Sequence, residues 1–519
     1  MSTAGAIAAG HDATANAAAD VLADGGNAVD AALAAMCVAC IAEPALASLG
    51  GGGFLLALPA DKAPIVYDFF PQTPRRFRPE DDCDFFPIVA DFGAVQQEFH
   101  IGMGSIATPG VVRGLFEAHA DLGRIPMRRL VEPAIALARD GSPISAMQAF
   151  VFDVIGPIFR SNEASLAVFG SRDRPGELID DGEVLRLPEF ADALEVMAIE
   201  GADLFYRGEI ARAIVDDCEA RGGHLGADDL RFYSVKRRHP LTIDLSGARL
   251  YVNPPPSLGG ILIAFALEML REIDVAGLGF GTAAYLGQLT RIMELTNRAR
   301  VESRLQDREA DGAADILFDP ALLAAYRAAV QGNPTVTRGT THISVIDAAG
   351  NAASLSLSNG EGSGYMVPGA GFMLNNMLGE EDINPRGFHR WPADTRMSSM
   401  MAPLIATEAD GAVAALGSGG SNRIRTAILQ VVLNLLMFRA PLAEAVTRPR
   451  IHFENGHLDV EPGFDDDAVD ALAAAHADLK RWDALNMFFG GVHAVRRQPR
   501  GHDFDAAGDP RRGGVGRVV

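Results

Sequence analysis

Hydrophobic and polar positions change their rhythm several times along the 519 residues. From His11 to Cys40 alanines, Val21, Leu22, Val29 and Leu33 recur at helical spacing, broken at Asp24-Gly25-Gly26-Asn27. The pattern predicts two helices joined by a tight glycine turn. Four glycines, Gly50 to Gly53, then run into Phe54-Leu55-Leu56, a predicted buried strand. No Lys-Ser or Lys-Thr follows them, so close backbone packing explains the glycines better than a phosphate loop. Helical spacing returns over 132–140 and 191–199, and a proline corner at Pro254-Pro255-Pro256 leads into an apolar helix from Ile261 to Leu270. No internal repeat is evident.

After the polar, turn-rich stretch Gln331 to Gly339, an expected exposed loop, the texture becomes that of strands. Residues Thr340 to Asp347 are rich in β-branched side chains, and Asn351 to Ser358 alternates Ala353, Leu355 and Leu357 with Ser354, Ser356 and Ser358. Ala348-Ala349-Gly350 suits a three-residue hairpin loop with its glycine at positive φ. Counting outward pairs Asp347 with Asn351 and finally Thr340 with Ser358, which sets a second hydroxyl opposite Thr340 on the same face. A loop one residue longer or shorter breaks that pairing.

Composition adds limits. At 48% hydrophobic and 22% charged the chain can bury a large core without a disulfide or metal staple. A formal net charge of -22 repels nucleic-acid phosphates and anionic lipid heads, so neither nucleic acid nor membrane is an expected partner. Of the four cysteines, Cys37 and Cys40 form a close pair within an apolar helical run, where buried small hydrophobes are a better reading than redox or metal chemistry. The first residues carry no basic, leucine-rich leader and the longest apolar run, Ala31 to Ala42, falls short of a bilayer span, so a cytoplasmic location is expected.

Candidate chemistry centres on Thr340. A threonine hydroxyl needs a base, and an α-amine on the same residue can serve once the preceding peptide bond is cut. A polar loop ending at Gly339 and a strand beginning Thr340-Thr341 have the form of such a precursor. The stretch from Thr340 to Ala352 resembles the small-subunit start of the gamma-glutamyltransferase family. Further landmarks follow in family order: Leu374-Asn375-Asn376, Met397-Ser398-Ser399-Met400 with Pro403, and Gly417-Ser418-Gly419-Gly420-Ser421 with Arg423-Ile424. Upstream, Asp24 to Ala32, the tetraglycine, Thr108-Pro109-Gly110, Glu132-Pro133-Ala134 and the proline corner are similar to large-subunit landmarks.

The resemblance implies an α/β fold, the four-layer αββα sandwich of N-terminal-nucleophile (Ntn) hydrolases, from a precursor that cuts itself into a large subunit, 1–339, and a small subunit, 340–519. The two pieces form a heterodimer; pairing of heterodimers stays open. Thr340 is the implied nucleophile, with Thr341 beside it and Ser358 or Asn359 near the amine. Backbone N–H groups of Gly419 and Gly420 form the implied oxyanion hole, where one lost donor costs roughly 3 kcal/mol. Ser398, Ser399 and Met400 lie at the substrate carboxylate. His342 shares the nucleophile's strand face without an evident partner and reads as a structural histidine. No metal or cofactor is implied, and the expected substrate is a small amide, gamma-glutamyl or a similar N-acyl compound. Glutathione metabolism is the implied setting.

Three departures bear on that substrate. The family's carboxylate-gripping arginine is replaced in Asp68-Phe69-Phe70-Pro71-Gln72 by Phe70, with Arg75 and Arg76 nearby in sequence. The amine-binding aspartate is replaced by Glu380 or Glu381. The shortened segment between Asn376 and Ser398 predicts an acyl site open to solvent. These weaken the case for glutathione itself and suggest bulkier or differently charged acyl groups; the alternative within the fold is a non-glutamyl acylase or oxamate-amidohydrolase-like enzyme. An alternative outside enzymology is an uncut scaffold or binding protein.

Overall fold

The computed structural model describes residues 3–91, 96–302, 340–384, 386–499 and 503–519. The expected loop 331–339 lies outside the described residues. Among the described residues thirteen strands build two large antiparallel sheets. In chain order they are β1 (Gly5–Ala9), β2 (Gly52–Leu58), β3 (Ile65–Asp68), β4 (Lys236–Arg238), β5 (Leu241–Leu245), β6 (Ala248–Val252) and β7 (Thr341–Asp347). They continue with β8 (Ala352–Ser358), β9 (Leu404–Glu408), β10 (Val413–Gly419), β11 (Gly491–Arg497), β12 (Phe504–Ala507) and β13 (Val515–Val518). The first sheet runs β13-β1-β7-β8-β2-β3-β4 and the second β12-β11-β10-β9-β6-β5.

Helices cover both outer faces. Helices α1 (Asp12–Ala23) and α2 (Ala28–Ala42) pack on the first sheet, sharing a core with Ile7, Leu55, Ile343, Val345 and Leu355. Helices α3 (Leu258–Leu270) and α5 (Arg423–Leu436), with α4 (Ala283–Glu302) between them in sequence, share the second core with the inter-sheet residues Ala6, Phe54, Leu56 and Leu416. The layering is the expected αββα sandwich. Helices also form at Met127–Asp140 and Pro188–Glu200, around the predicted 132–140 and 191–199.

The glycine turn before α2 is closed by local chemistry. Asn27 caps α2, its Oδ1 accepting from the backbone N–H groups of Val29 and Asp30, while Asp30 accepts from the N–H of Asn27. Asp30 also accepts from the N–H of Arg124, and Asp347 from that of Ala28, which ties the α2 start to the β7 end. Cys37 and Cys40 are fully inside α2's packing, and burial pushes the Cys37 thiol up to about 12, as suits an inert apolar residue. Among the described residues no helix is long and apolar enough to cross a membrane.

The β7–β8 hairpin has the counted register: Thr341 faces Leu357, Ile343 faces Leu355, and the Asp347 N–H donates to the Asn351 carbonyl. Gly350 has φ +92°. The alternation along β8 does not mark a wet face. Ala353, Leu355 and Leu357 face the α1–α2 layer, whereas Ser354 and Ser356 are fully buried on the inter-sheet side.

Candidate active site

The site starts from which way successive residues of β7 point. His342 and Ser344 face the second sheet: Ser344 Oγ donates to the His493 carbonyl, and a Cβ added at Gly417 would overlap the His342 ring. Two residues along β10, a Cβ at Gly419 would overlap the carbonyl of Thr340. Gly417 and Gly419 therefore let β10 lie directly against alternate positions of the first sheet, and Thr340 sits where the two sheets come together. Gly419 leads through Gly420, at φ +116°, into the amino terminus of α5, an end that favours developing negative charge.

Carrying the hairpin register one pair outward sets Thr340 across from Ser358. The Ser358 Oγ accepts from the N–H of Gly360 at 3.0 Å. Asn359 is buried beside it, and its carbonyl accepts from the N–H groups of Gly362 and Asn376. Thr340 and Ser358 are both buried, 5% and 6% exposed. Gly419 closes against Thr340, while Asn376 and Glu380 close against Gly360.

Thr341 points the other way. Its Oγ1 donates at 2.6 Å to Glu43, just past α2, which also accepts from the Thr14 hydroxyl at 3.0 Å. Burial raises the Glu43 carboxyl above its usual range, against the lowering effect of its hydrogen bond from Thr341. Sequence reading passed over Glu43; an acidic residue ending an otherwise apolar run was the available signal.

His342 has partners that its strand position concealed. Nδ1 lies 2.8 Å from Ser356 Oγ and Nε2 2.9 Å from Ser344 Oγ. Burial lowers its pKa well below the ordinary histidine value, so it is a neutral, fully hydrogen-bonded core residue. The Asn375-Asn376 pair is likewise a clamp. Asn375 Nδ2 donates to the carbonyls of Gly50 and Ala107, and Asn376 Oδ1 accepts from the N–H groups of Glu361 and Gly362.

The expected substrate-facing residues separate. Glu380 is buried against Gly360, whereas Glu381 is exposed, so only Glu380 is placed toward the Thr340–Ser358 end. Ser399 turns inward: its Oγ accepts from the Met401 N–H, and its carbonyl accepts from the N–H of Leu258 at the α3 start. Met400 is buried with its carbonyl against Gly259, and Ser398 is half-buried. Phe70 lies in the inter-sheet core at 2% exposure, its ring stacked on Phe54 with centroids 5.5 Å apart. The arginine's place is thus taken up by core packing. Arg75 is no substitute, since it pairs with Asp394 at 2.8 Å and lies over the Phe232 ring, and Arg76 is exposed.

Arg512 is the second residue that sequence reading missed. It is 7% exposed, and its Nη1 donates to the Thr340 carbonyl at 3.4 Å. Burial lowers its pKa to about 10. Glu361, also buried, acts on it electrostatically.

Among the described residues one cluster has metal-ligand types, with ligand atoms of Cys83, His224 and His389 within 4.8 Å of one another. The Arg78 N–H donates to His224 Nδ1 at 3.1 Å, which leaves the proton of the neutral ring on Nε2, 3.6 Å from Cys83 Sγ. Burial lowers His224 to about 4, so the ring is neutral at pH 7. A metal on Nε2 would displace that proton and oppose the Arg78 N–H, and the cluster fits a metal poorly.

The comparisons agree with this architecture. The sequence model described as Gamma-glutamyltranspeptidase matches residues 14–519. A glutathione hydrolase proenzyme of Pseudomonas aeruginosa is 32% identical, covering 99% of this chain and 94% of that one. An ACY 1 acylase proenzyme of a Pseudomonas species is 28% identical, covering 96% and 90%. The solved cephalosporin acylase from Bacillus halodurans has the same fold, with a TM-score of 0.84 at 22% identity over 99% of this chain and 96% of that one. Built on the Ntn-hydrolase sandwich and matched over nearly its whole length, the chain belongs to the gamma-glutamyltranspeptidase family.

Proposed function

We propose that this enzyme is made as a precursor, cuts itself between Gly339 and Thr340, and then uses Thr340 to hydrolyse or transfer the acyl group of a small gamma-glutamyl or similar N-acyl amide. The observation that carries the reading is the packing of Gly419 directly on the Thr340 peptide where the sheets meet, with a helix amino terminus beginning at Arg423. The freed amine takes the hydroxyl proton, Thr340 Oγ attacks the amide carbonyl, and the N–H groups of Gly419 and Gly420 hold the oxyanion. The amine product leaves with the returned proton; water or an acceptor amine then releases the acyl group from the ester. Ser358 and Asn359 flank the amine, and Thr341 fixes the strand start through Glu43.

The large piece is 1–339 and the small piece 340–519. They share both sheets, because β7 and β8 of the small piece lie between β1 and β2 of the large piece, and β9 pairs with β6. A heterodimer follows from that interleaving, and two heterodimers could pair.

A non-glutamyl acyl group is the second reading, favoured by one observation: Phe70 is packed into the core where the glutamyl reading needs a cation. Glu380, buried against Gly360, is the carboxylate this reading assigns to a substrate ammonium. The test compares a gamma-glutamyl p-nitroanilide with simple N-acyl p-nitroanilides. Selective turnover of the glutamyl compound supports the first reading and selective turnover of N-acyl compounds the second. Release from neither by correctly cut enzyme removes both.

A further inference from the structure

Two adjacent arginines near the carboxyl terminus have opposite surroundings. Arg511 pairs with Glu461 and, at 3.2 Å, with Asp509, and a third arginine, Arg450, reaches Asp509 at 2.6 Å. Arg512 has no carboxylate within ion-pair distance among the described residues. Its hydrogen bonds are to two backbone carbonyls, Thr340 at 3.4 Å and Met487 at 3.3 Å, and its Nε has no partner. A buried guanidinium left this incompletely satisfied disfavours the folded state unless its charge is used. The group it points at is the backbone of the proposed nucleophile. The guanidinium lies against Gly419 and Gly420, where an added Cβ would come within 3.2 and 3.1 Å of its nitrogens.

We propose that Arg512 is a positioning residue whose fixed positive charge disfavours protonation of the freed Thr340 α-amine, so that this amine is uncharged and able to act as the base near neutral pH. This rests on the reading of Thr340 as a new amino terminus. An amino-terminal amine ordinarily titrates at about 7.7–8.0 and would be mostly charged at pH 7. Backbone geometry puts the amine roughly 6 Å from a cation that holds the same residue's carbonyl. At an effective dielectric of about 20, a unit charge at that distance lowers an amine pKa by about two units.

Other charges around this point modify the effect. Arg423, at the start of α5, acts in the same direction as Arg512. Glu361, after β8, and Glu380 act against it. Glu43, which accepts the Thr14 and Thr341 hydroxyls, also opposes it, and Asp509 is already engaged by Arg450 and Arg511. A net lowering of about one unit, a tenfold change in the uncharged fraction, is therefore expected.

Two measurements test this on the full-length protein. Competitive acylation of wild type with an isotopically paired anhydride at a series of pH values, read on the Thr340-terminated peptide, gives the amine pKa directly; about 7 or below is expected. The pH profiles of kcat/KM for Arg512→Met and Arg512→Lys give the second reading. The Met variant should move the acid limb up by about one pH unit, with activity approaching wild type above pH 9, while the Lys variant keeps the wild-type limb. An amine titrating at 7.7 or above, or a Met variant weakened equally at every pH, overturns the proposal. Where the Met variant stays uncut, the wild-type labelling and the Lys profile decide alone. Absence of any Thr340-terminated peptide from wild type overturns the underlying nucleophile reading instead.

Discussion

At position 419 there is room for a hydrogen and for nothing larger, since a methyl group would overlap the Thr340 carbonyl. Gly419→Ala leaves both flanking cores in place but should push the backbone donors proposed at 419 and 420 away from the proposed nucleophile. A loss of about 100-fold or more in kcat is expected, measured in steady-state assays of cut protein, together with a lowered thermal midpoint because the methyl group meets backbone. Retention of kcat within a few-fold would remove Gly419 from the oxyanion site. Thr340 and Gly419 were singled out because their neighbours form ordered motifs, and the fold brings the two together. Glu43 and Arg512 were not, because each acts through one approach made by folding, to Thr341 across 298 positions and to Thr340 across 172. His342 was read as structural without a partner; one serine partner, Ser344, lies two residues along the same strand face, and the other, Ser356, comes from β8 across the pair.

Among elements, the β7–β8 hairpin was the most legible, since loop length and the alternation of side chains determine register without knowledge of the rest of the fold. What alternation could not reveal is that the serine face meets a second sheet. Ser354 donates to the Leu416 carbonyl and accepts from the Leu404 N–H, so a polar strand face is satisfied without water. The segment after β3 shows the opposite limit. The family resemblance matches position 70 to a carboxylate-binding arginine, yet its ring belongs to the inter-sheet core with Phe54 and Leu56. Phe70→Arg should consequently fail to restore glutamyl selectivity. It should destabilise the protein by roughly 3 kcal/mol or more, seen as a lowered denaturant midpoint. Wild-type stability together with improved gamma-glutamyl turnover would show that the position opens to the substrate.

For the whole molecule, the order of strands ties the proposed pieces together more firmly than a surface interface would. In the first sheet β7 pairs with β1 and β8 with β2, and in the second β9 pairs with β6, so separation would break ladders in both sheets and expose two cores. The αββα layering was anticipated through resemblance rather than periodicity, because sheet order depends on pairings between residues hundreds of positions apart. The central claim is that the chain cuts itself before Thr340 and uses the new terminus. Intact-mass spectrometry of purified wild type and Thr340→Ala, each under denaturing and native conditions, addresses it most directly. Wild type should give two polypeptides when denatured, the smaller beginning at Thr340, that travel as one complex when native, and Thr340→Ala should give a single chain. A wild-type chain that stays whole, or is cut at any other bond, contradicts the account.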